Sequence, residues 1–164
     1  IMNIYVFDLD NTLCNTYPSL QARREEKTKF LKFFFESIRI LRLEFFPKML
    51  KIVMRRLKRE NSQVLFLTAR NSFLWIPTYI SLIRKMGLLM PHNLILVPNA
   101  KAKIGVLKRI INKYHEERVC VIDDLSYNHE SGNVKYYSDV IHFCESNSRI
   151  IYVGKDKIDR INND

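Results

Sequence analysis

The sequence predicts an α/β fold, a parallel sheet of about five strands with helices on both faces. Three observations predict it. Short apolar runs rich in β-branched and aromatic residues recur along the chain, and each stops at a polar or turn residue. Such runs suit strands buried on both faces of a parallel sheet. Apolar residues at helical spacing fill the gaps between them. The chain has 164 residues, 47% of them hydrophobic, with only 4 Gly and 5 Pro. That is enough for one packed core and argues against disorder.

The elements follow in order. Ile4-Tyr5-Val6-Phe7 ends at Asp8, and Val64-Leu65-Phe66-Leu67 ends at Thr68. Leu94-Ile95-Leu96-Val97 ends at Pro98, and Val119-Cys120-Val121-Ile122 ends at Asp123. A fifth run, Ile150-Ile151-Tyr152-Val153, ends at Gly154. Between them, Leu50, Val53 and Leu57 mark a helix that Pro47 can start. Ile76, Ile80 and Ile83 mark another, closed by Gly87. Ile104, Leu107, Ile110 and Ile111 mark a third, and Tyr137, Val140, Ile141 and Cys144 a fourth. Strand–helix alternation means a parallel sheet. No repeat or long linker divides the chain, so residues 1–164 read as one domain.

One stretch departs from the alternation. Between positions 19 and 46, Leu31, Phe34, Phe35, Ile38, Leu41 and Phe45 form a long helical stripe, widened by Phe30, Phe33, Ile40 and Leu43. It reads as a helical insert over the C-terminal edge of the sheet, where α/β folds place ligands. Its phenylalanines can pack on the core or on a second copy of the chain.

Charge is concentrated in the same region. The net charge is +10, and positions 21–60 hold 13 Lys or Arg against 5 Glu, a balance of +8. A basic segment suits an anionic partner: nucleic acid, phospholipid or a phosphorylated substrate. It also suits a merely solvated helix face. No apolar run reaches membrane-spanning length. Asp8 and Asp10 inside the first apolar stretch argue against a secretory signal. Cys14, Cys120 and Cys144 make an odd count without metal-type spacing, and Cys120 and Cys144, in apolar surroundings, read as core thiols, so a reducing cytoplasm is the simplest compartment.

The strand ends carry the chemistry. The first gives Asp8-Leu9-Asp10-Asn11-Thr12 and the fourth Asp123-Asp124. On adjacent strands these would bring three or four acids into one pocket, which is costly without a compensating cation. A hard, oxygen-liganded Mg2+ suits such a cluster. Thr68, in Leu67-Thr68-Ala69-Arg70, can offer a hydroxyl to a phosphate oxygen. Lys101 or Lys103, before the helix at Ile104, can neutralise a phosphate or the acids; Lys103 fits the helix's first turn better.

In order and context, these four segments resemble the four motifs of the haloacid dehalogenase superfamily of phosphatases. The resemblance runs from Ile4 to about Asp124 and implies a Rossmann-like sheet with a small cap made by the insert at about 19–46. It implies catalytic roles for Asp8, Asp10, Thr68 and Lys103. Asp8 would attack phosphorus, Asp10 would be the acid and then the base, and Thr68 and Lys103 would stabilise the phosphoryl oxygens. It implies Mg2+ held by Asp8, Asp10 through its backbone carbonyl, Asp123, and Asp124 directly or through water. Asp124 could instead bond Lys103. The further Asp that some members carry four residues on is missing; Asn128 could replace it. The substrate would be a phosphomonoester, with Asn11, Arg70, Arg23 and Arg24 as contacts, and nucleotides or nucleic-acid ends first in line. The alternative is a non-catalytic protein on this fold that binds nucleic acid or an anionic membrane.

Overall fold

Each predicted run becomes a strand; the central runs are buried on both faces, while the edge run at Ile150 leaves Ile151 48% exposed. The computed structural model describes residues 2–21, 28–115 and 117–164. The chain opens with β1 (Asn3–Phe7), a short helix α1 (Tyr17–Gln21), α2 (Lys29–Leu41) and α3 (Pro47–Leu57). Then come β2 (Ser62–Ala69), α4 (Trp75–Met86), β3 (Leu94–Val97), α5 (Lys103–Lys113) and β4 (Val119–Ile122). A small hairpin of β5 (Ser126–Tyr127) and β6 (Lys135–Tyr136) precedes α6 (Ser138–Ser146), β7 (Ile150–Val153) and α7 (Lys155–Asn163).

β1, β2, β3, β4 and β7 form one five-stranded, wholly parallel sheet in the order β3-β2-β1-β4-β7. This is a Rossmann-like arrangement. Alternation along β1 divides the core. Phe7 packs with Met49 and Val53 of α3, Leu82 of α4 and Ile158 of α7. Ile4 and Val6 pack with Val106, Leu107 and Ile110 of α5 and Cys144 of α6. From β1 the chain winds one way through β2 to β3, then returns to the other side for β4 and β7. The winding reverses between β1 and β4, and crevices at such switch points are where α/β sheets bind ligands.

Two helices expose the faces expected to be buried. In α4, Ile76 is 66% exposed and Ile80 37% exposed, while Pro77, Thr78, Ser81 and Leu82 are buried. The inward face is mixed: Thr78 meets a buried polar group, Arg70, while Leu82 packs into the apolar core. The long pattern at 19–46 divides into α1 and α2, and in α2 only Glu36 and Ile40 are fully buried. Leu31 and Phe34 of the expected stripe remain exposed, as does Phe30. Two elements had no usable sequence signal. The hairpin has two residues per strand, and α7 has only Ile158 and Ile161 as apolar anchors. Among the described residues, no helix is long and apolar enough to cross a membrane.

Candidate functional site

Strand register builds the site. Phe7 pairs with Ile122, so the next residues, Asp8 and Asp123, leave the sheet side by side at the switch point. The Asp8 amide donates to the Ile122 carbonyl at 2.9 Å. One carboxylate oxygen from each of Asp8, Asp123 and Asp124 lies within 4.8 Å of the others, and all three residues are buried. Lys103, on the first turn of α5, is also buried and donates to Asp123 Oδ2 at 2.6 Å and Asp8 Oδ1 at 3.1 Å. Lys103, not the exposed Lys101, therefore joins the acids, and its bonds go to Asp8 and Asp123 rather than Asp124.

The cluster carries three carboxylates and one ammonium. Burial and then the charge of Asp123 push the Asp8 carboxyl well above its ordinary range, although Lys103 pulls it down. Burial and Asp123 also raise Asp124. For Lys103, burial favours the neutral amine, but Asp123 and Asp8 outweigh it and hold the ammonium. Buried like charges of this kind call for a cation or shared protons. Three hard oxygen donors with negative charge in excess fit a hard divalent ion such as Mg2+.

Hydroxyls support the acids. Thr12 Oγ1 lies 3.1 Å from Asp124 Oδ1 and 3.4 Å from Asp8 Oδ2, and it accepts the Asp124 amide at 3.2 Å. Ser126 Oγ donates to Asp124 Oδ2 at 2.5 Å and stands 3.0 Å from His129 Nε2. Thr68 differs from both. Its hydroxyl is fully buried on β2 and has no hydrogen-bond partner among the described residues. A buried polar atom without a partner is costly, so this one is suited to a ligand oxygen.

Asp10, two residues after Asp8, stands in a different environment. Arg70 grips it bidentately, Nη2 to Oδ1 at 2.7 Å and Nε to Oδ2 at 3.1 Å, and Thr16 Oγ1 donates to Oδ1 at 2.7 Å. Burial would raise the Asp10 carboxyl, but the charge and hydrogen bonds of Arg70 win and lower it to about 2. The Asp10 side chain is about 30% exposed and lines a cleft of about 960 Å3. The expected substrate contact Arg70 is itself buried, committed to Asp10 and, through Nη1, to Thr78 at 3.1 Å.

Asn11 lines the same cleft and holds a left-handed backbone, with φ 62°. Asn128 also lines the cleft, but its amide donates to the Asn133 carbonyl and so ties the hairpin loop. Arg23 and Arg24 lie outside the described residues. Sequence reasoning missed Thr16, Thr78, Ser126 and His129, because single hydroxyls and a lone histidine in loops carry no spacing signal. No known protein-family model matches the chain, and no curated protein matches it.

Proposed function

We propose that the chain is a Mg2+-dependent phosphomonoester hydrolase acting through an aspartyl-phosphate, as the resemblance to the haloacid dehalogenase superfamily implies. The observation that carries the reading is the buried set of Asp8, Asp123, Asp124 and Lys103 at the switch point of the sheet. The Thr68 hydroxyl, buried and without a hydrogen-bond partner among the described residues, supports a phosphoryl oxygen as the missing partner. Asp8, Asp123 and the Asp10 carbonyl would hold Mg2+, with Asp124 next to them. The cation would keep Asp8 ionised and offset charge on the phosphoryl oxygens.

The residues then divide the work. A carboxylate oxygen of Asp8 bonds to phosphorus as the bond from phosphorus to the leaving oxygen breaks. Asp10 gives the leaving oxygen a proton. Water next attacks the phosphorus of the aspartyl-phosphate and gives its proton to Asp10. Asp8 and inorganic phosphate are released. Thr68 and Lys103 stabilise the transferring oxygens. Asp10 beside Arg70 is a carboxylate, the form the base step needs, though the guanidinium weakens it as a base. The acid step needs the Asp10–Arg70 pair to part, so substrate must draw the guanidinium away or shift the loop. The insert, with α2 along the cleft, is proposed as a cap that selects the substrate.

The test is turnover of a panel of phosphomonoesters with Mg2+ and with EDTA. EDTA should stop the reaction and Mg2+ restore it. Asp8→Asn should lower kcat by roughly 10⁴-fold or more while the protein stays folded. Turnover retained by that variant, or undiminished in EDTA, rules the chemistry out.

One observation favours a second reading, a polyanion-binding protein. Lys48, Lys51 and Arg55 are exposed along one face of α3, continued by Lys58 and Arg59, and none of them lines the cleft. If these charges serve RNA or anionic vesicles, replacing them abolishes that binding and leaves small-substrate kinetics unchanged.

A further inference from the structure

The cleft beside Asp10 has an apolar wall that the fold does not use. Phe33 of α2 and Phe73, in the turn before α4, meet edge to face with ring centroids 5.8 Å apart. Both stay solvent-accessible, at 37% and 56%, and Phe30 is 73% exposed. All three line the cleft that holds Asp10, Asn11 and Arg70. The buried residues of α2 are instead Ile40 and Glu36, and Arg39, paired with Glu36 at 2.8 Å, reaches out of the helix to Ser19 Oγ of α1 at 3.1 Å. Exposed aromatics of this size are normally buried, because each can remove about 150–250 Å2 from water.

The rest of the cleft narrows what would cover them. Lys29 and Lys32 lie on the same helix and line the same space, which suits an anionic ligand. Asn71, exposed between Arg70 and Phe73, also lines the cleft, and its side chain does not cap the turn that follows it. An amide can read the polar edge of a heterocycle, for which a phenol ring has no counterpart. The volume of about 960 Å3 lies within the range of about 300–1,000 Å3 for small-ligand sites.

Resting on the phosphohydrolase reading above, we propose that Phe33 and Phe73 stack the base of a nucleoside monophosphate whose phosphate reaches Asp8. The site is then selective for nucleotides over phosphates of plain sugars, because aromatic stacking holds the base wherever the phosphate is held.

Adenosine 5′-monophosphate and ribose 5-phosphate separate the base from the phosphate. Turnover is measured with Mg2+, and binding by calorimetry to the Asp8→Asn variant. The expected wild-type preference for the nucleotide is roughly tenfold or more in kcat/KM and in Kd. Phe33→Leu and Phe73→Leu should each move that ratio toward one. Ile76→Ser, on the exposed face of α4 and outside the cleft, should leave it unchanged.

Equal turnover of both compounds overturns the base site and leaves the hydrolase standing. Base-dependent binding without turnover of any phosphomonoester overturns the hydrolase and leaves the base site. Loss of both removes both. If 4-nitrophenyl phosphate matches the nucleotide, with the same dependence on both phenylalanines, the occupant is a simple aryl phosphate and the nucleotide assignment fails. It also fails if the two variants change the oligomeric state and not the ratio, since the wall would then be covered by a second copy.

Discussion

Asp8 and Asp10 are two residues apart, yet they stand in opposite electrostatic corners. Asp8 shares its burial with Asp123 and Asp124 and has only a share of Lys103, so its proton is held more tightly than usual. Asp10 holds two nitrogens of the Arg70 guanidinium and releases its proton far more readily, near pH 2. The difference is one of counter-charge, since burial raises both. One corner is short of positive charge and suited to a cation. The other is already neutralised within the chain. An Asp-x-Asp pair therefore cannot be treated as two equivalent ligands.

The largest stability effect should come from Lys103→Met. Removing one partner of a buried ionic cluster costs about 3–5 kcal/mol. In EDTA the melting temperature should fall by roughly 10 °C. Mg2+ should recover more stability in the variant than in the wild type. An unchanged melting temperature in EDTA would show that the acids do not depend on this ammonium.

Arg70→Ala breaks the other corner and should cost about 3 kcal/mol, the lower end for a buried pair because Asp10 is partly exposed. The two corners also differ in sign with pH. The lowered Asp10 contributes stability that is present above its ordinary value of 3.8 and lost as pH falls through about 2. The raised Asp8 and Asp124 contribute stability that is present below 3.8 and lost as pH rises through their raised values. Denaturant unfolding across pH in EDTA separates them. Arg70→Ala should flatten the acid limb, and Mg2+ should flatten the other. A single limb that responds to both changes would merge the corners into one.

Thr68→Val should have the smallest effect on stability and the opposite sign, a gain of about 1 kcal/mol, since it removes a buried hydroxyl that bonds nothing described. Its effect on kcat/KM should still be roughly 100-fold if that hydroxyl meets the phosphoryl group. A stable variant with full activity would remove Thr68 from the site.

The sheet was legible because burial on both faces leaves a mark in the sequence. Three of the predicted runs, at Leu94, Val119 and Ile150, coincide with the strands, while β1 begins one residue earlier, at Asn3, and β2 runs two residues further at each end, from Ser62 to Ala69. The helices were legible in position but less so in orientation. Ile76 and Ile80 repeat at helical spacing and still face out, because a helix beside a polar site turns Thr78 inward to Arg70. For the site, the polar residues that end the strands were readable. Which acid would stand beside which base was not.

The sequence by itself determined the alternation of buried strands and amphipathic helices, and with it the parallel sheet. It also determined which polar residues interrupt the strands at their C-terminal ends. Those are local properties, carried by periodicity and by where apolar runs stop. Only the tertiary structure decided that Lys103 rather than Lys101 meets the acids, that Asp10 belongs to Arg70, and that Thr68 has no partner among the described residues. Those outcomes depend on pairings across 20 to 95 residues of chain, from Lys103 to Asp123 and to Asp8. Strand order and register create such pairings, and no local pattern encodes them.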